Sequence, residues 1–412
     1  MKQSVRVLTV TCLLSSIVLA ACSQEDTGRP TDTQKPASTK NPSVSRTPGE
    51  DAFPSSRDPV DWPFAADSIW NMPIHNDAKY VDAQIEMPMA AGPTIDPEIL
   101  ILRPEGPVMP LVENDAGWDG APRCTSLTGD TLLSGVPVPS DFATYPEEEG
   151  STPNNSGAIL MPDGVTLYET QPLHVCSPGG TVTSQYLWDP QNIRTDAGIE
   201  GSHGGSGMAA FGGSIRMGEL LPGSVIHHAI KMNFFAKRNF AFRADGTPGY
   251  RWPALVADGY ASPQTYGGVI PAFEIGALLA LKPDFDIERL QTEPARIIGR
   301  AAQDYGIYAV DDTAWDVFAL LVEEGTEGSV ASEFRKAHGY DVEGPELNCV
   351  DTSESCKWSQ DMWTILEALN VVDNNSPTTI GGGPNRDAAN RRAPMAPPFI
   401  PLAAAISPAA PR

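Results

Sequence analysis

The sequence predicts a mainly β fold, a single β-sandwich or jelly-roll-like domain with a few short peripheral helices. Many short apolar or alternating runs are typical of strands, and the chain's 37 glycines and 39 prolines supply frequent turn signals between them. The best-defined pair of strands is GAILMPDGVTLYE at 157–169, where a Pro-Asp-Gly turn joins two such runs. Because neither a Pro/Ser-rich linker nor an internal repeat interrupts residues 61–373, we expect one β-rich domain there.

The remaining elements follow from the same patterns along the chain. The other strand-like runs are ILILRP, SQYLWD, SIRMGEL, VIHHAIKMNFFA, NFAFRA, EIGALLALK, IYAVDD and VFALLVEE. Helical periodicity predicts three short helices, at 292–306, 329–339 and 359–372. Thr292 is a suitable cap for the first helix, and glycines end the first two. We expect these helices to pack on the edge or the back of the sandwich.

The N-terminus predicts export and a lipid anchor. Lys2 and Arg6 precede an apolar stretch that is too short to span a membrane and that ends in Leu19-Ala20-Ala21-Cys22. This ending resembles the lipobox of bacterial lipoproteins, and the resemblance implies that Cys22 is lipidated and that the protein is held at the membrane surface of the cell envelope. An ordinary secretory signal with an incidental cysteine is the alternative. The flanking segments are accordingly assigned as a lipoprotein signal peptide (1–22), a disordered tether (23–60) and a Pro/Gly-rich C-terminal extension (374–412).

The cysteines predict two disulfide bonds. Cys12 is lost with the signal peptide and Cys22 carries the lipid, so an even set of four remains in an exported protein. Cys349 and Cys356 flank a short loop and form the natural local pair, which leaves Cys124 to pair with Cys176. A zinc site is disfavoured because no C-x₂-C spacing occurs.

The charge distribution limits the partners. A formal net charge of −24 disfavours nucleic-acid binding. The segment from Arg216 to Arg251 reverses this sign, since it holds six basic and two acidic residues. Such a reversal suits a site for an anionic ligand, and an ordinary spread of solvated strand charges is the alternative.

One segment, 198–234, combines pliable backbone with residues that catalyse proton transfer. Six glycines from Gly201 to Gly213 interleave with His203, and a predicted hairpin follows. The hairpin would bring Arg216 and Glu219 across from His228, and these are ingredients of general acid–base catalysis. Alternation in the second strand places Lys231 and Asn233 beside His227 as substrate-binding candidates and puts His228 on the apolar face. An exposed ion pair and a core histidine are the plain alternatives.

A second candidate lies at 303–316, QDYGIYAVDDTAWD. Tyr305 and Tyr308 precede the adjacent carboxylates Asp311 and Asp312, and paired carboxylates serve glycoside hydrolysis or calcium binding. Trp70 is a candidate platform for stacking a sugar ring. Turn residues and a buried tryptophan core are the alternatives. No cofactor is predicted, apart from calcium as an option, because motifs for zincins, P-loop enzymes, dinucleotide oxidoreductases and α/β-hydrolases are absent.

Four stretches, DSIWNMPI, FGGSIRMGELLPGSVIHHAIKM, RAAQDYGIYAVDDTAWD and NNSPTTIGGGP, resemble a family of largely uncharacterised secreted bacterial β-rich proteins. The similarity covers most of residues 63–384 and implies a single exported domain, with emphasis on His228 over His227. The family is similar in general build to jelly-roll polysaccharide-degrading enzymes, although the Y-x-K-x-G-x-Y signature of several alginate lyases is missing.

These observations favour a surface-anchored lipoprotein that acts on extracellular polysaccharide. If it is a lyase, Arg216 would neutralise a uronate carboxylate, His228 or His203 would abstract the proton, and Tyr305 or Tyr308 would act as the acid. If it is a glycoside hydrolase, Glu219 and Asp311 or Asp312 would form the carboxyl pair. A non-catalytic glycan-binding or adhesion lipoprotein and a purely structural lipoprotein are the remaining alternatives.

Overall fold

Two β-sheets form the body of the protein in the computed structural model, which describes residues 53–89, 91–144 and 153–401. The described residues all belong to one unit, Pro48–Ala410. Strand residues outnumber helical residues among them, so the prediction of a mainly β domain with few helices is confirmed. The predicted signal peptide, Cys22 and most of the tether lie outside the described residues.

Seventeen strands occur in the described part of the chain. They are β1 (Tyr80–Asp82), β2 (Thr94–Ile101), β3 (Val108–Asn114), β4 (Leu127–Pro137), β5 (Gly157–Leu160), β6 (Thr166–Gln171), β7 (His174–Val175), β8 (Val182–Ser184), β9 (Tyr186–Leu187), β10 (Gln191–Asn192), β11 (Glu200–His203), β12 (Ile230–Phe234), β13 (Leu278–Ala280), β14 (Ile307–Asp312), β15 (Phe318–Gly325), β16 (Gly328–Ser329) and β17 (Asn370–Val372). The larger sheet has the order β1-β17-β13-β14-β12-β15-β2-β5-β6-β10, with β16 on β15 and β9 on β6. The smaller sheet has the order β4-β3-β8-β7.

The strand pairing is mixed. The predicted hairpin at 157–169 is present as antiparallel β5 and β6. Four pairs are parallel, namely β12–β14, β15–β2, β2–β5 and β3–β8, and a purely antiparallel jelly roll would have none. Parallel neighbours need long crossover connections, which local turn signals do not reveal.

The helices lie beside the larger sheet. They are α1 (Ala236–Asn239), α2 (Glu293–Asp304), α3 (Val330–His338) and α4 (Glu354–Ala368), with short 3₁₀ turns at Ile287–Arg289 and Ile380–Gly382. The predictions of α2 and α3 are confirmed, and Gly339 ends α3 in the left-handed conformation. The third prediction is shifted: α4 begins five residues earlier, because Ser353 caps it by accepting a hydrogen bond from the Cys356 backbone. The end of that predicted helix is strand β17.

Two predicted strands are not strands. SIRMGEL and NFAFRA form only isolated bridges, through Ile215 and Ala241 respectively. In the first, the backbone turns back at Arg216, whose carbonyl accepts a hydrogen bond from the Glu219 N–H. The hairpin expected over 214–234 is therefore absent, and its second half is a strand only over β12.

Strand β12 lies in the interior of the larger sheet. It pairs with β14 on one side and β15 on the other, and all five of its residues are buried. The predicted division into an apolar face and an accessible polar face is therefore wrong here. Lys231 and Asn233 lie inside the protein, at 0% and 2% exposure.

The smaller sheet packs against β2 and β5 of the larger one, which gives two layers there. Their shared core contains Ile99 and Ile159 from the larger sheet and Leu111, Val136 and Val182 from the smaller one. Burial of such side chains contributes about 1.5–3 kcal/mol each.

Both predicted disulfides, Cys124–Cys176 and Cys349–Cys356, are present.

Both ends of the described chain pack onto the domain. Residues 53–60, assigned to the tether from sequence, include the buried Arg57, whose guanidinium donates to the carbonyls of Trp62, Phe64 and Pro397. The ring of Phe399 lies 3.8 Å from that guanidinium. The ordered domain therefore begins before residue 61 and includes part of the C-terminal extension.

Candidate functional site

A buried ion pair lies in the interior of the larger sheet. The Nζ atom of Lys231 on β12 donates to Glu98 Oε1 and Oε2 on β2, at 2.6 and 2.8 Å, and to the carbonyls of Ala209 and Ala210. Burial lowers the pKa of Lys231, although Glu98 opposes this shift. Ser214 Oγ also donates to Glu98. Lys231 is therefore a structural cation and not a contact for substrate.

His203, at the end of β11, extends this network. Its Nδ1 lies 2.9 Å from Glu98 Oε1, and its Nε2 lies 3.1 Å from Asn233 Oδ1. Both partners are acceptors, because Asn233 uses its Nδ2 to donate to Asp96. The Nε2 atom of His203 is also 3.9 Å from Asp311 Oδ2.

The glycine-rich segment 201–213 is held in place by hydrogen bonds to two buried side chains, Glu169 and Lys231. Glu169 accepts hydrogen bonds from the backbone N–H groups of Ser202, Ala210 and Phe211, while Lys231 binds carbonyls of the same segment. This geometry indicates that the glycines serve close approach of the backbone to neighbouring groups and not movement of the segment. Gly205 has φ +60°, and a Cβ there would lie 2.1 Å from Asp311 Oδ1.

Four aspartates gather where this segment meets the sheet. They are Asp96 on β2, Asp258 in the loop before β13, and Asp311 and Asp312 at the end of β14. Asp311 is only 5% exposed. Burial raises its pKa well above the usual value, and the charges of Asp258 and Asp96 raise it further. Asp311 therefore holds its proton more strongly than an ordinary aspartate.

The other three carboxyl groups are bound by neutral donors. Tyr266 donates to Asp258 at 2.6 Å, and Asp312 accepts from Tyr260 at 3.0 Å and from the Ala236 N–H. Burial raises the pKa of Asp312 to about 6 and raises that of Asp258. Asp96 accepts from the amides of Asn154 and Asn233. Within the described ranges, no lysine or arginine forms an ion pair with any of the four.

Exposed apolar side chains border the aspartates. Tyr260, which binds Asp312, is 57% exposed, and Trp315, three residues after Asp312, is 59% exposed. Leu255 and Val256 are also exposed, and their backbone N–H groups donate to the Ser206 carbonyl of the glycine-rich segment. A carboxyl group of raised pKa is thus flanked by apolar surface that can accept a ligand ring.

Arg216, Glu219 and His228 form a different cluster. Arg216 Nε donates to Glu323 at 2.8 Å, and its Nη1 donates to the Val60 carbonyl. His228 Nε2 is 3.0 Å from Glu219 Oε1, and its Nδ1 is 2.9 Å from the Ala229 carbonyl. Burial lowers the pKa of His228, but Glu219 outweighs it and the net shift is upward. The cavity beside Arg216 and His228 has a volume of about 10 Å³, which holds roughly one water molecule.

The aromatic candidates lie in the core. Trp70 is 1% exposed and packs edge-on against Tyr308, with ring centroids 5.4 Å apart. Its Nε1 donates to the Gly198 carbonyl. Tyr305 is also buried. The structure therefore does not support a sugar platform at Trp70 or a proton donor at either tyrosine. His227 stacks on Trp62, with centroids 5.4 Å apart.

In the described part of the chain, one group of three side chains has ligand atoms close enough together to hold a metal ion. The ligand atoms of Cys124, His174 and Cys176 lie within 4.8 Å of one another, but the two cysteines are joined in a disulfide. A disulfide sulfur is not the thiolate that zinc requires.

Sequence reasoning missed Asp96, Glu98, Glu169 and Asp258. Asp96 and Glu98 are two residues apart in TIDPEILI and lie on the same side of β2. A charged pair in an otherwise apolar strand was the sequence feature that could have indicated a buried polar site. Glu169 is likewise a buried carboxyl group within a strand, β6. Asp258 precedes a glycine and was indistinguishable from a turn residue.

No family model, curated protein or solved structure matches this chain. The resemblance to secreted bacterial proteins therefore stays a prediction. Among the described residues, no helix is both long and apolar enough to cross a membrane.

Proposed function

We propose that this protein is a glycoside hydrolase in which Asp311 is the general acid and Asp258 is its carboxylate partner. The observation that carries the proposal is the burial of Asp311 among other aspartates, which raises its pKa. A buried carboxyl group of raised pKa is suited to donate a proton to the oxygen of a glycosidic bond. Asp258 is half-buried and is the strongest of the charges that act on Asp311.

The surroundings of Asp311 and Asp258 give the two carboxyl groups different roles in the proposed reaction. Close like charges do not both ionise readily, so the pair retains one proton, and the more buried Asp311 keeps it. Asp258 is held by the Tyr266 hydroxyl and supplies the carboxylate, either as nucleophile or as the base that activates water.

The charge of the site favours a neutral or amine-bearing glycan over a uronate polymer. The four aspartates have amide, hydroxyl and backbone donors, and a polyanion brought among them would be repelled. Tyr260 and Trp315 offer exposed rings on which a sugar can stack.

The lyase interpretation receives less support. It needs a cation that clamps the substrate carboxylate, whereas Arg216 is buried and bound to Glu323. It also needs an accessible proton donor, whereas Tyr305 and Tyr308 lie in the core. The predicted N-terminal lipid anchor, which would hold the enzyme at the outer face of a membrane near extracellular polysaccharide, remains part of the proposal.

The test uses the chain from residue 23 onward, incubated with neutral, amine-bearing and uronate polysaccharides. Reducing ends and the ultraviolet absorbance of unsaturated uronates are followed together. We expect reducing ends without absorbance from a neutral or amine-bearing polymer. Asp311→Asn and Asp258→Asn should each lower the rate by about 10²–10⁴-fold. The matched control is Asp284→Asn, an exposed aspartate with no side-chain partner in the described structure.

Three results would contradict the proposal. Absorbance that rises with reducing ends on a uronate polymer would establish a lyase. Full activity in both aspartate variants would remove Asp311 and Asp258 from the chemistry. Binding to a polymer without any release of reducing ends would instead indicate a glycan-binding lipoprotein.

A further inference from the structure

We infer that a second surface of this protein binds a neutral or amine-bearing polysaccharide chain. The surface, here called the aromatic strip, consists of Trp118, Tyr186 and Trp188. It is separate from Tyr260 and Trp315, and its binding does not depend on the proposed hydrolysis.

The rings of the aromatic strip are aligned and accessible. Trp118 is 37% exposed and Tyr186 is 50% exposed, with ring centroids 6.4 Å apart and planes inclined by only 20°. Trp188 continues the row edge-on, 6.3 Å from Tyr186. Trp118 follows a strand of the smaller sheet, whereas Tyr186 belongs to β9 of the larger sheet. The row is therefore assembled by the tertiary fold from two separate segments.

A cleft of about 280 Å³, lined by both apolar and polar groups, adjoins the end of the row. Trp188 forms one wall, and Asp189, Gln191 and Glu200 contribute a carboxylate, an amide and a second carboxylate. The volume is close to the lower end for small-ligand pockets, which begin at about 300 Å³. Aromatic faces cover the C–H face of a sugar ring, and carboxylates and amides bind its hydroxyls. The combination matches a carbohydrate better than an apolar peptide.

The charge of the cleft selects among polymers. Its two carboxylates, Asp189 and Glu200, would repel a uronate polymer or an anionic lipid surface, and they would attract an amine-bearing sugar. The occupant that fits is therefore a neutral or amine-bearing glycan.

The aromatic strip lies near the candidate active site in the sheet. Tyr186 pairs with Gln171 across β9 and β6. The Gln171 amide in turn borders Gly204, because a Cβ at Gly204 would lie 3.3 Å from Gln171 Nε2 and 3.1 Å from Asp311 Oδ2. The aromatic strip and the candidate active site are thus linked through Gln171 of β6.

The test is affinity electrophoresis of the chain from residue 23 onward in gels that contain xylan, chitosan or alginate. All proteins carry Asp311→Asn, so that the polymer in the gel stays intact. We expect retardation by xylan or chitosan and at least about tenfold weaker binding after Trp118→Ala with Tyr186→Ala. The control is Tyr250→Ala, whose ring is 38% exposed but lies outside both surfaces. Unfolding temperatures of all variants verify the fold.

The outcomes separate this inference from the proposed function. Equal retardation of the double variant and the parent, retardation by alginate alone, or no retardation by any polymer would overturn the inference. If no polymer ever releases reducing ends but the Trp118→Ala, Tyr186→Ala variant loses binding, the hydrolase proposal is wrong and the inference that the aromatic strip binds a polysaccharide is supported. With Asp311 restored, the double variant should still cleave a short oligosaccharide at the parent's rate.

Discussion

Replacement of Gly205 by alanine tests whether the glycine-rich segment fixes the position of Asp311. The new Cβ would lie 2.1 Å from Asp311 Oδ1 and 2.9 Å from its Cγ, which is closer than atoms can approach. Gly205 also has φ +60°, a conformation that costs a residue with a side chain about 1–2 kcal/mol. Relief of the clash requires Asp311 or the loop to move, and such overpacking costs about 1–3 kcal/mol more.

Gly218 supplies a matched control for the backbone cost. Its φ is +87°, and a Cβ there would meet no atom within 4 Å. Gly218→Ala should therefore lose only the conformational cost of about 1–2 kcal/mol, whereas Gly205→Ala should lose about 2–5 kcal/mol in total. Displacement of the acid by about 1 Å should also lower polysaccharide cleavage by about 10²-fold.

Denaturant unfolding and the reducing-end assay measure the two effects. Equal destabilisation by the two substitutions, together with full activity of Gly205→Ala, would refute the reasoning, because the segment would then not hold the carboxyl group in place.

Three further predictions concern stability. Lys231→Met should lower the free energy of unfolding by about 3–5 kcal/mol in denaturant, because it leaves Glu98 buried without its cation. Adding Glu98→Gln should recover part of that loss. A cost below about 1 kcal/mol would contradict the buried ion pair. Burial raises the pKa of Glu324 to about 7, so its contribution to stability is present below the unfolded-state value of 4.5 and is lost as the pH rises through 7. Glu324→Gln should thus raise the unfolding temperature relative to the parent at pH 8 but not at pH 4. Equal effects at the two pH values would count against the raised pKa of Glu324. Removal of the 124–176 disulfide, which spans 52 residues, should lower the free energy of unfolding by about 4 kcal/mol. Removal of the 349–356 disulfide, which spans 7 residues, should lower it by about 2.5 kcal/mol. The reverse order of unfolding temperatures would exclude the loop-entropy explanation.

Local signals explain what the sequence could predict of the fold. The 157–169 hairpin, helices α2 and α3 and both disulfides depend on turn residues, caps, periodicity and cysteine spacing, all of which act over short stretches. Strand β12 was misinterpreted because alternation assumes one solvated face, whereas a strand inside a mixed sheet is covered on both.

The candidate site depends on long-range pairing that such patterns do not encode. The parallel register of β15 with β2, and of β12 with β14, brings Asp96 and Glu98 near residues more than 100 positions later. The adjacent carboxylates at 311–312 were visible in the sequence, but their partner Asp258 was not. His228 attracted attention as part of a histidine pair, whereas His203 is the histidine that faces Asp311.

The most direct measurement of the central claim compares Asp311→Asn on two kinds of substrate. An aryl glycoside with a good leaving group needs no proton from the acid, whereas a polysaccharide does. If Asp311 is the general acid, the variant should lose polysaccharide cleavage by about 10²–10⁴-fold and retain most of its activity on the aryl glycoside. An equal loss on both substrates, or no loss on either, would contradict the assignment of Asp311.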